Sequence, residues 1–117
     1  MVEVLERTRP YEEFQTVVQA ALRRLESEGI HALVSIHFYA SPDSTEVGAL
    51  LTFSDRDQMM KHICMISEWD EFRAFFGVIK PIDVRVYGRL RPEVEAWVRQ
   101  FDCLNKTFDS HVAGFVR

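Results

Sequence analysis

Four polar side chains have types that can bind and transform a small molecule. They are His37 and Tyr39 on one predicted strand and Arg85 and Tyr87 on another. Histidine accepts a proton near neutral pH, tyrosine donates a hydrogen bond, and arginine binds a carboxylate or an enolate. The members of each pair are two residues apart, so both lie on one face of a strand. We predict that these four residues are catalytic groups acting on a carbonyl-bearing compound.

Five further residues are candidates for ligand contacts. Thr52 and His111 are placed on the same sheet face as the four catalytic candidates, whereas His62, Trp69 and Phe72 lie on predicted helices beside a pocket. A structural interpretation stays open for all of them. Aromatic residues at helical spacing pack in cores by default. The polar groups on the sheet can instead hydrogen-bond across an interface between two copies of the chain.

The histidines and cysteines do not have the spacing of a metal site. His31 and His37 are six residues apart, which is about 20 Å along a strand, so they cannot share one ion. Cys64 and Cys103 form neither a zinc knuckle nor a redox pair and are expected to be reduced thiols. His62 and Cys64 point to different faces of a helix. We therefore expect neither a metal nor a cofactor.

Length and charge restrict the class of protein. The chain has 117 residues, which fits a single domain over residues 1–117. The net charge is −4 and the basic residues alternate with acidic ones, which argues against a nucleic-acid partner. The first twenty residues are rich in charge and the apolar runs are short, which argues against a signal peptide or a membrane span. The prediction is a cytoplasmic protein.

Apolar periodicity predicts the helices. Apolar residues recur at three- and four-residue spacing over residues 10–29, which indicates one long helix. Two helical pieces follow, with Ser54 and Ser67 as capping residues and a break near Ser67. A short helix covers residues 92–101 after its opening proline.

Alternation of apolar and polar residues predicts the strands. A short first strand carries Val2 and Val4 with Glu3 between them, residues 30–40 and 46–54 form a hairpin, and residues 82–87 form a further strand. The side chains assigned to the core are Ala32, Val34, Ile36, Phe38, Val47, Ala49, Leu51, Phe53, Ile82, Val84 and Val86. The residues that suggest a last strand are Phe108, Val112, Phe115 and Val116.

This order of elements predicts an α+β fold. A hairpin flanked by helices indicates a ferredoxin-like antiparallel sheet with helices on one face, extended by a C-terminal helix and strand. The opposite sheet face keeps an apolar set that is too large to be simply solvated. Packing against the same face of a second copy would bury it, so we expect a homodimer. The apolar residues assigned to this face are Leu33, Tyr39, Leu50, Tyr87 and Phe115.

About half of the chain supports a resemblance to a known family. The residues that carry it are the turn Ser41-Pro42-Asp43, the strand over residues 48–53, the helix from Met59 to His62, the segment 67–72 and the strand over residues 82–87. With these features, residues 37–90 resemble the dimeric α+β barrel superfamily, in particular small proteins grouped with the antibiotic-biosynthesis monooxygenases. The resemblance implies subunits paired sheet to sheet, with a pocket between sheet and helices. The asparagine and helical histidine of the haem-degrading branch are missing, so haem degradation is not expected.

Two functions remain open. The first is a small-molecule-binding protein or a cofactor-independent, monooxygenase-like enzyme acting on an aromatic or carbonyl compound. The second is a non-catalytic dimerisation or regulatory module whose sheet face is filled by side chains. Replacing His37 or Arg85 by alanine abolishes binding or turnover under the first hypothesis and weakens the dimer under the second.

Overall fold

The computed structural model describes residues 1–28 and 32–117, so the predicted position of His31 lies outside the described residues. The strands are β1 Val2–Arg7, β2 Leu33–Ala40, β3 Glu46–Phe53, β4 Ile79–Tyr87 and β5 Leu104–Phe108. The helices are α1 Tyr11–Ser27, α2 Met59–Ser67, α3 Asp70–Phe76 and α4 Pro92–Arg99, and a 3-10 turn at Arg56–Gln58 precedes α2. The order β1-α1-β2-β3-α2-α3-β4-α4-β5 agrees with the predicted order of elements.

The five strands form one mixed sheet in the spatial order β2-β3-β1-β4-β5. The first four strands of this order are antiparallel to their neighbours. β5 pairs with β4 in parallel, because α4 carries the chain back across the sheet before β5 begins. The expected antiparallel sheet is therefore limited to four strands, and the whole is compatible with a ferredoxin-like α+β fold.

All four helices contribute to a core on one face of the sheet. α1 and α3 pack over Leu5 and Val47, the buried residues at the centre of the sheet, together with Ala49. α2 and α4 pack over Val84 and Val86 of β4. The other sheet face has no helix against it among the described residues, and we call it the open face.

A bulge in β2 changes which residues of this strand face the core. Leu33 pairs with Phe53 while Ser35 pairs with Thr52, so Val34 is an extra residue without a partner on β3. Val34 is 61 % exposed, and Leu33 packs against the core instead. The assignment of Val34 to the core and of Leu33 to the open face was therefore wrong.

A second bulge lies in β4. Leu5 pairs with Pro81 and Val4 pairs with Asp83, which leaves Ile82 as the extra residue. Ile82 is 37 % exposed, so its assignment to the core was wrong, whereas Val84 and Val86 are buried as predicted. Pro81 has no N–H for the ladder, and sheets tolerate proline at such an irregularity.

The break between the second and third helices was predicted correctly, but the caps were not. α2 ends at Ser67 and α3 begins at Asp70. Asp55, rather than Ser54, caps the turn before α2, since its carboxylate accepts a hydrogen bond from the Asp57 N–H at 2.8 Å. The Ser67 hydroxyl donates back to the Ile63 carbonyl at 2.6 Å and caps no helix.

The last strand is shorter than predicted and begins earlier in the chain. β5 ends at Phe108, whose carbonyl accepts a hydrogen bond from Gly88, the residue that follows the end of β4. Since β4 ends there, β5 has no further partner. Residues 109–117 form no strand, and Val112, Phe115 and Val116, which were assigned to this strand or to the open face, are exposed.

Candidate functional site

The four catalytic candidates lie on the open face, three of them in two rows set by strand register, while Tyr87 pairs with Phe108 at the end of β4. One row across the sheet consists of His37, Leu50, Val2, Arg85 and Lys106, and the next consists of Tyr39, Gly48, Val4, Asp83 and Leu104. His37 and Arg85 are three strand spacings apart, which places their Cα atoms about 14 Å from each other. The open face therefore holds the candidates as two separate groups.

The first group lies at the β2 edge of the sheet. The rings of His37 and Tyr39 are 6.4 Å apart, and both side chains are exposed. Thr52, a predicted ligand contact, is also exposed and lies on the same face opposite Ser35. His37 and Tyr39 also line an open pocket of about 430 Å³ between the β2 edge and α1, whereas Thr52 does not.

The second group lies on β4. The Arg85 guanidinium donates a hydrogen bond to the Asp83 carboxylate at 3.1 Å, so its charge is already paired. Tyr87 stacks on Phe108 of β5, with ring centroids 5.3 Å apart and planes 9° from parallel. His111 lies beyond β5 in the exposed C-terminal segment. Intramolecular contacts thus account for most of this group.

An apolar cavity lies between the sheet and the helices. Its volume is about 100 Å³, and aliphatic and aromatic side chains from both layers form most of its wall. Among the described residues, Glu3 and His62 are the only lining residues whose side chains titrate. Ser67 also reaches the wall, but its hydroxyl is bonded to the backbone of α2. Met1 lines the cavity as well, and its amine donates a hydrogen bond to the Leu51 carbonyl at 2.8 Å. The cavity therefore has two titratable side chains in mostly apolar surroundings.

Glu3 enters the cavity from the central strand. It precedes the buried Leu5 by two residues and lies between Ala49 and Val84, which face the core on the neighbouring strands. No hydrogen bond or ion pair to its carboxyl group is found among the described residues. Burial raises the pKa of Glu3 to about 7, and the positive N-terminal amine of Met1 opposes that rise. At neutral pH both protonation states of this carboxyl group are populated.

His62 enters the cavity from α2. Its side chain is buried, with the residue only 5 % exposed, and its ring meets the Phe53 ring edge to face at 5.8 Å. Nδ1 is buried and has no hydrogen-bond partner among residues 1–28 and 32–117. Burial lowers the pKa of His62, so the imidazole is neutral at neutral pH.

The two groups together are suited to proton transfer. A carboxyl group with a pKa near 7 acts as base or acid at the pH of the cell. A neutral imidazole donates or accepts a hydrogen bond without carrying charge. Buried polar atoms without partners are uncommon in folded proteins and concentrate where a ligand, water or reaction uses them. The cavity is therefore the best candidate site in the described part of the chain.

The predicted ligand contacts are distributed unevenly around this cavity. His62 and Phe72 line it. Trp69 is buried nearby but is not part of the lining found among the described residues. Its ring lies 4.3 Å below the Arg24 guanidinium, which pairs with Glu71 at 2.7 Å. Trp69 thus packs between helices α1 and α3.

Glu3 was missed by the sequence analysis. The first strand was interpreted from its two valines, which makes Glu3 the outward residue. Leu5 carries the opposite information, because it shares the face of Glu3 and is the more deeply buried side chain. The position of Leu5, two residues after Glu3 on the same strand face, was the available signal that the Glu3 carboxylate faces the core.

Other site types have little support in the described residues. Residues 1–28 and 32–117 contain no group of three or more His, Cys, Asp or Glu side chains arranged to hold a metal ion. No helix in these ranges combines the length and the apolar character needed to cross a membrane. Cys64 is exposed and Cys103 is partly buried, and both thiols are free.

The chain was compared with protein-family models, with curated proteins and with solved structures. These comparisons return no significant match. The resemblance over residues 37–90 is accordingly an inference from the sequence pattern, and the function must be argued from the geometry of the cavity.

Proposed function

We propose that this protein binds a small, mostly apolar organic molecule in the cavity between sheet and helices, with Glu3 and His62 contacting its polar group. One observation carries the proposal: Glu3 and His62 line a mostly apolar cavity, and the buried Nδ1 of His62 has no hydrogen-bond partner among the described residues. An unpaired buried polar group costs about 1–3 kcal/mol. A ligand with one polar group would offset this cost while filling the apolar volume.

The size of the cavity limits the ligand. Dry apolar cavities of about 150 Å³ hold benzene. A cavity of about 100 Å³ is smaller than that, so a single ring fits after small movements of the lining side chains and a larger compound does not. This proposal keeps the aromatic or carbonyl compound of the cofactor-independent, monooxygenase-like hypothesis and moves its site from the open face into the cavity.

The proposal is tested by titration with benzene, phenol and benzaldehyde, during which the amide chemical shifts of the protein are measured by NMR. We expect saturable shifts at residues around the cavity, such as Leu5 and Ile63. Ala21→Leu fills the cavity and should abolish these shifts, whereas Ala20→Leu, on the same helix but outside the lining, should retain them. Thermal unfolding of both variants establishes that they are folded. Shifts confined to the open face, or no shifts with any probe, would contradict the proposal.

We also propose that the chain forms a homodimer through the open face. Several large apolar or aromatic side chains are exposed there: Tyr39, Leu50, Tyr87, Leu104 and Phe108. Exposed apolar surface of this extent is a common mark of an interaction site. Two sheets facing each other by a two-fold axis would bury it in both copies.

The oligomeric state tests this second proposal. Native mass measured over a range of concentrations should give a dimer. Leu50→Glu at the middle of the open face should give a monomer, and Arg23→Glu on the exposed side of α1 should leave the dimer intact. A monomer at every concentration would exclude the interface. A dimer that binds none of the probes would favour the dimerisation or regulatory module over the ligand-binding protein.

A further inference from the structure

We propose that Glu3 and His62 act as a proton-transfer pair that enolises a small, neutral carbonyl compound held in the cavity. This inference rests on the proposed ligand-binding function and names the substrate class and reaction of the same site. It goes beyond binding because it assigns a separate chemical role to each residue.

The geometry supports two different roles. Glu3 projects from strand β1 and His62 from helix α2, so the two groups reach the cavity from the two layers of the fold. No hydrogen bond joins them, and Nδ1 of His62 is without a partner. A molecule placed between the layers can therefore contact the carboxylate on one side and the imidazole on the other.

The reaction is a proton transfer that requires no oxidant. The Glu3 carboxylate takes a proton from the carbon next to the substrate carbonyl. The electron pair of that C–H bond forms the new C=C bond, and the carbonyl π pair moves onto oxygen. Neutral His62 donates an N–H hydrogen bond to this oxygen as its negative charge develops. Return of the proton from the Glu3 carboxyl group to the same or the conjugated carbon restores the enzyme.

The protonation states of the two groups agree with these roles. Burial raises the pKa of Glu3 to about 7, which makes its carboxylate a stronger base than an exposed glutamate. Burial lowers the pKa of His62, which keeps it as a neutral hydrogen-bond donor. A glutamate base combined with a neutral histidine is an established solution for proton abstraction next to a carbonyl.

The lining also argues for a neutral substrate. No lysine or arginine side chain lines the cavity among the described residues, and the nearby Met1 amine already faces Glu3 and donates a hydrogen bond to the Leu51 carbonyl at 2.8 Å. Burying an unpaired charge in apolar surroundings is strongly unfavourable. A ketone or aldehyde of one ring or less agrees with the charge of the site and needs the least movement of its lining.

Hydrogen–deuterium exchange of cyclohexanone in D₂O tests the inference. The loss of the proton signals next to the carbonyl is followed by NMR, with the rate in buffer alone subtracted. We expect the wild-type protein to accelerate exchange and Glu3→Gln to lower that acceleration at least about 100-fold, the usual contribution of a general base. Glu6→Gln is the matched control, since Glu6 is an exposed glutamate on the opposite face of the same strand. His62→Gln should reduce the rate while leaving cyclohexanone bound.

Each contrary result has a distinct meaning. If cyclohexanone perturbs the cavity resonances and exchange is not accelerated, the proton-transfer inference fails and the binding function stands. If no probe binds, both fail. If Glu6→Gln loses as much activity as Glu3→Gln, the assigned base is wrong.

A measurement on the unmutated protein does not depend on the folding of a variant. The titratable groups near Glu3 are the Met1 amine and the Cys103 thiol, and His62 lines the same cavity; the ionisation of Glu3 should dominate the pH profile. The corrected rate should rise with pH and level off above about 7. The range from about pH 5 to about pH 8 spans the ionisation of Glu3. A rate that does not change over this range would overturn the assignment of Glu3 as the base.

Discussion

Glu3 on β1 and His62 on α2 face the same apolar cavity from opposite layers, and no hydrogen bond joins them. Burial shifts the pKa values of the two side chains in opposite directions, upward for Glu3 and downward for His62. Both shifts favour the uncharged form in the folded protein. The stability of the fold should therefore depend on pH through these two residues, with opposite signs.

Glu3→Gln should stabilise the protein at high pH. The folded pKa of about 7 lies above the ordinary value of 4.5, so the unfolded chain releases this proton first as pH rises. Protonated Glu3 contributes its full share to the stability of the wild-type fold below pH 4.5. This contribution is lost as pH rises through 7. Relative to wild type, Glu3→Gln should gain up to about 3 kcal/mol at pH 8 and nothing at pH 4. Urea unfolding at a series of pH values measures this, and a gain that does not vary with pH would contradict it.

His62→Gln should protect the fold against acid. The pKa of His62 is lower in the folded state than its ordinary value of 6.5, so the unfolded chain binds this proton first as pH falls. The stability contributed by neutral His62 is present above pH 6.5 and is lost below it. The comparison is best made in the Glu3→Gln background, because Glu3 acts in the opposite direction over part of that range. Equal acid sensitivity with histidine and with glutamine at this position would refute the assignment.

Phe108→Ala should loosen β5. The stacked pair of Phe108 and Tyr87 joins the last strand to β4, and every residue of β5 is exposed. Loss of an aromatic pair costs about 0.5–1.5 kcal/mol in addition to the lost burial. We expect faster amide exchange at Leu104–Phe108 and little change in β1. Thr107→Ala, on the other face of the strand, serves as control and should leave exchange in β5 nearly unchanged.

The two cysteines should differ in reactivity. Cys64 is exposed, whereas burial and the nearby Asp83, Glu3 and Asp102 carboxylates raise the pKa of Cys103. Since the thiolate is the reactive form, iodoacetamide should modify Cys64 first. Peptide mass spectrometry over time identifies the modified site, and Cys64→Ser should leave only the slow reaction. Preferential modification of Cys103 would contradict the described environment.

The periodicity of apolar residues was sufficient to predict the order of the helices and strands. It was not sufficient to predict the details of strand pairing. The long helix over residues 10–29 and the break near Ser67 follow from apolar spacing within one segment, and both are present in the structure. The bulges at Val34 and Ile82 depend on how a strand meets its neighbour, which no single segment encodes. The parallel pairing of β5 depends on the crossover through α4 and was missed for the same reason.

The site was predicted only in part. His62 and Phe72 were recognised as pocket residues, because helix positions facing the sheet can be read from the sequence. His37 and Arg85 share a face as expected, but their separation depends on the strand order, which alternation does not provide. Glu3 was not among the predicted site residues, because the first strand was interpreted from the alternation of Val2 and Val4 with Glu3.

The two bulges also determine where the chain can lose a residue. Deleting one residue from a regular strand shifts the remainder by one position and turns its inward side chains outward. Val34 and Ile82 are extra residues without a partner, so their deletion would restore plain alternation around them. Leu33 would then directly precede the outward Ser35, and Pro81 the outward Asp83, with every other side chain keeping its face. These are two positions within its strands where the gene can shorten by one codon and still encode the same sheet.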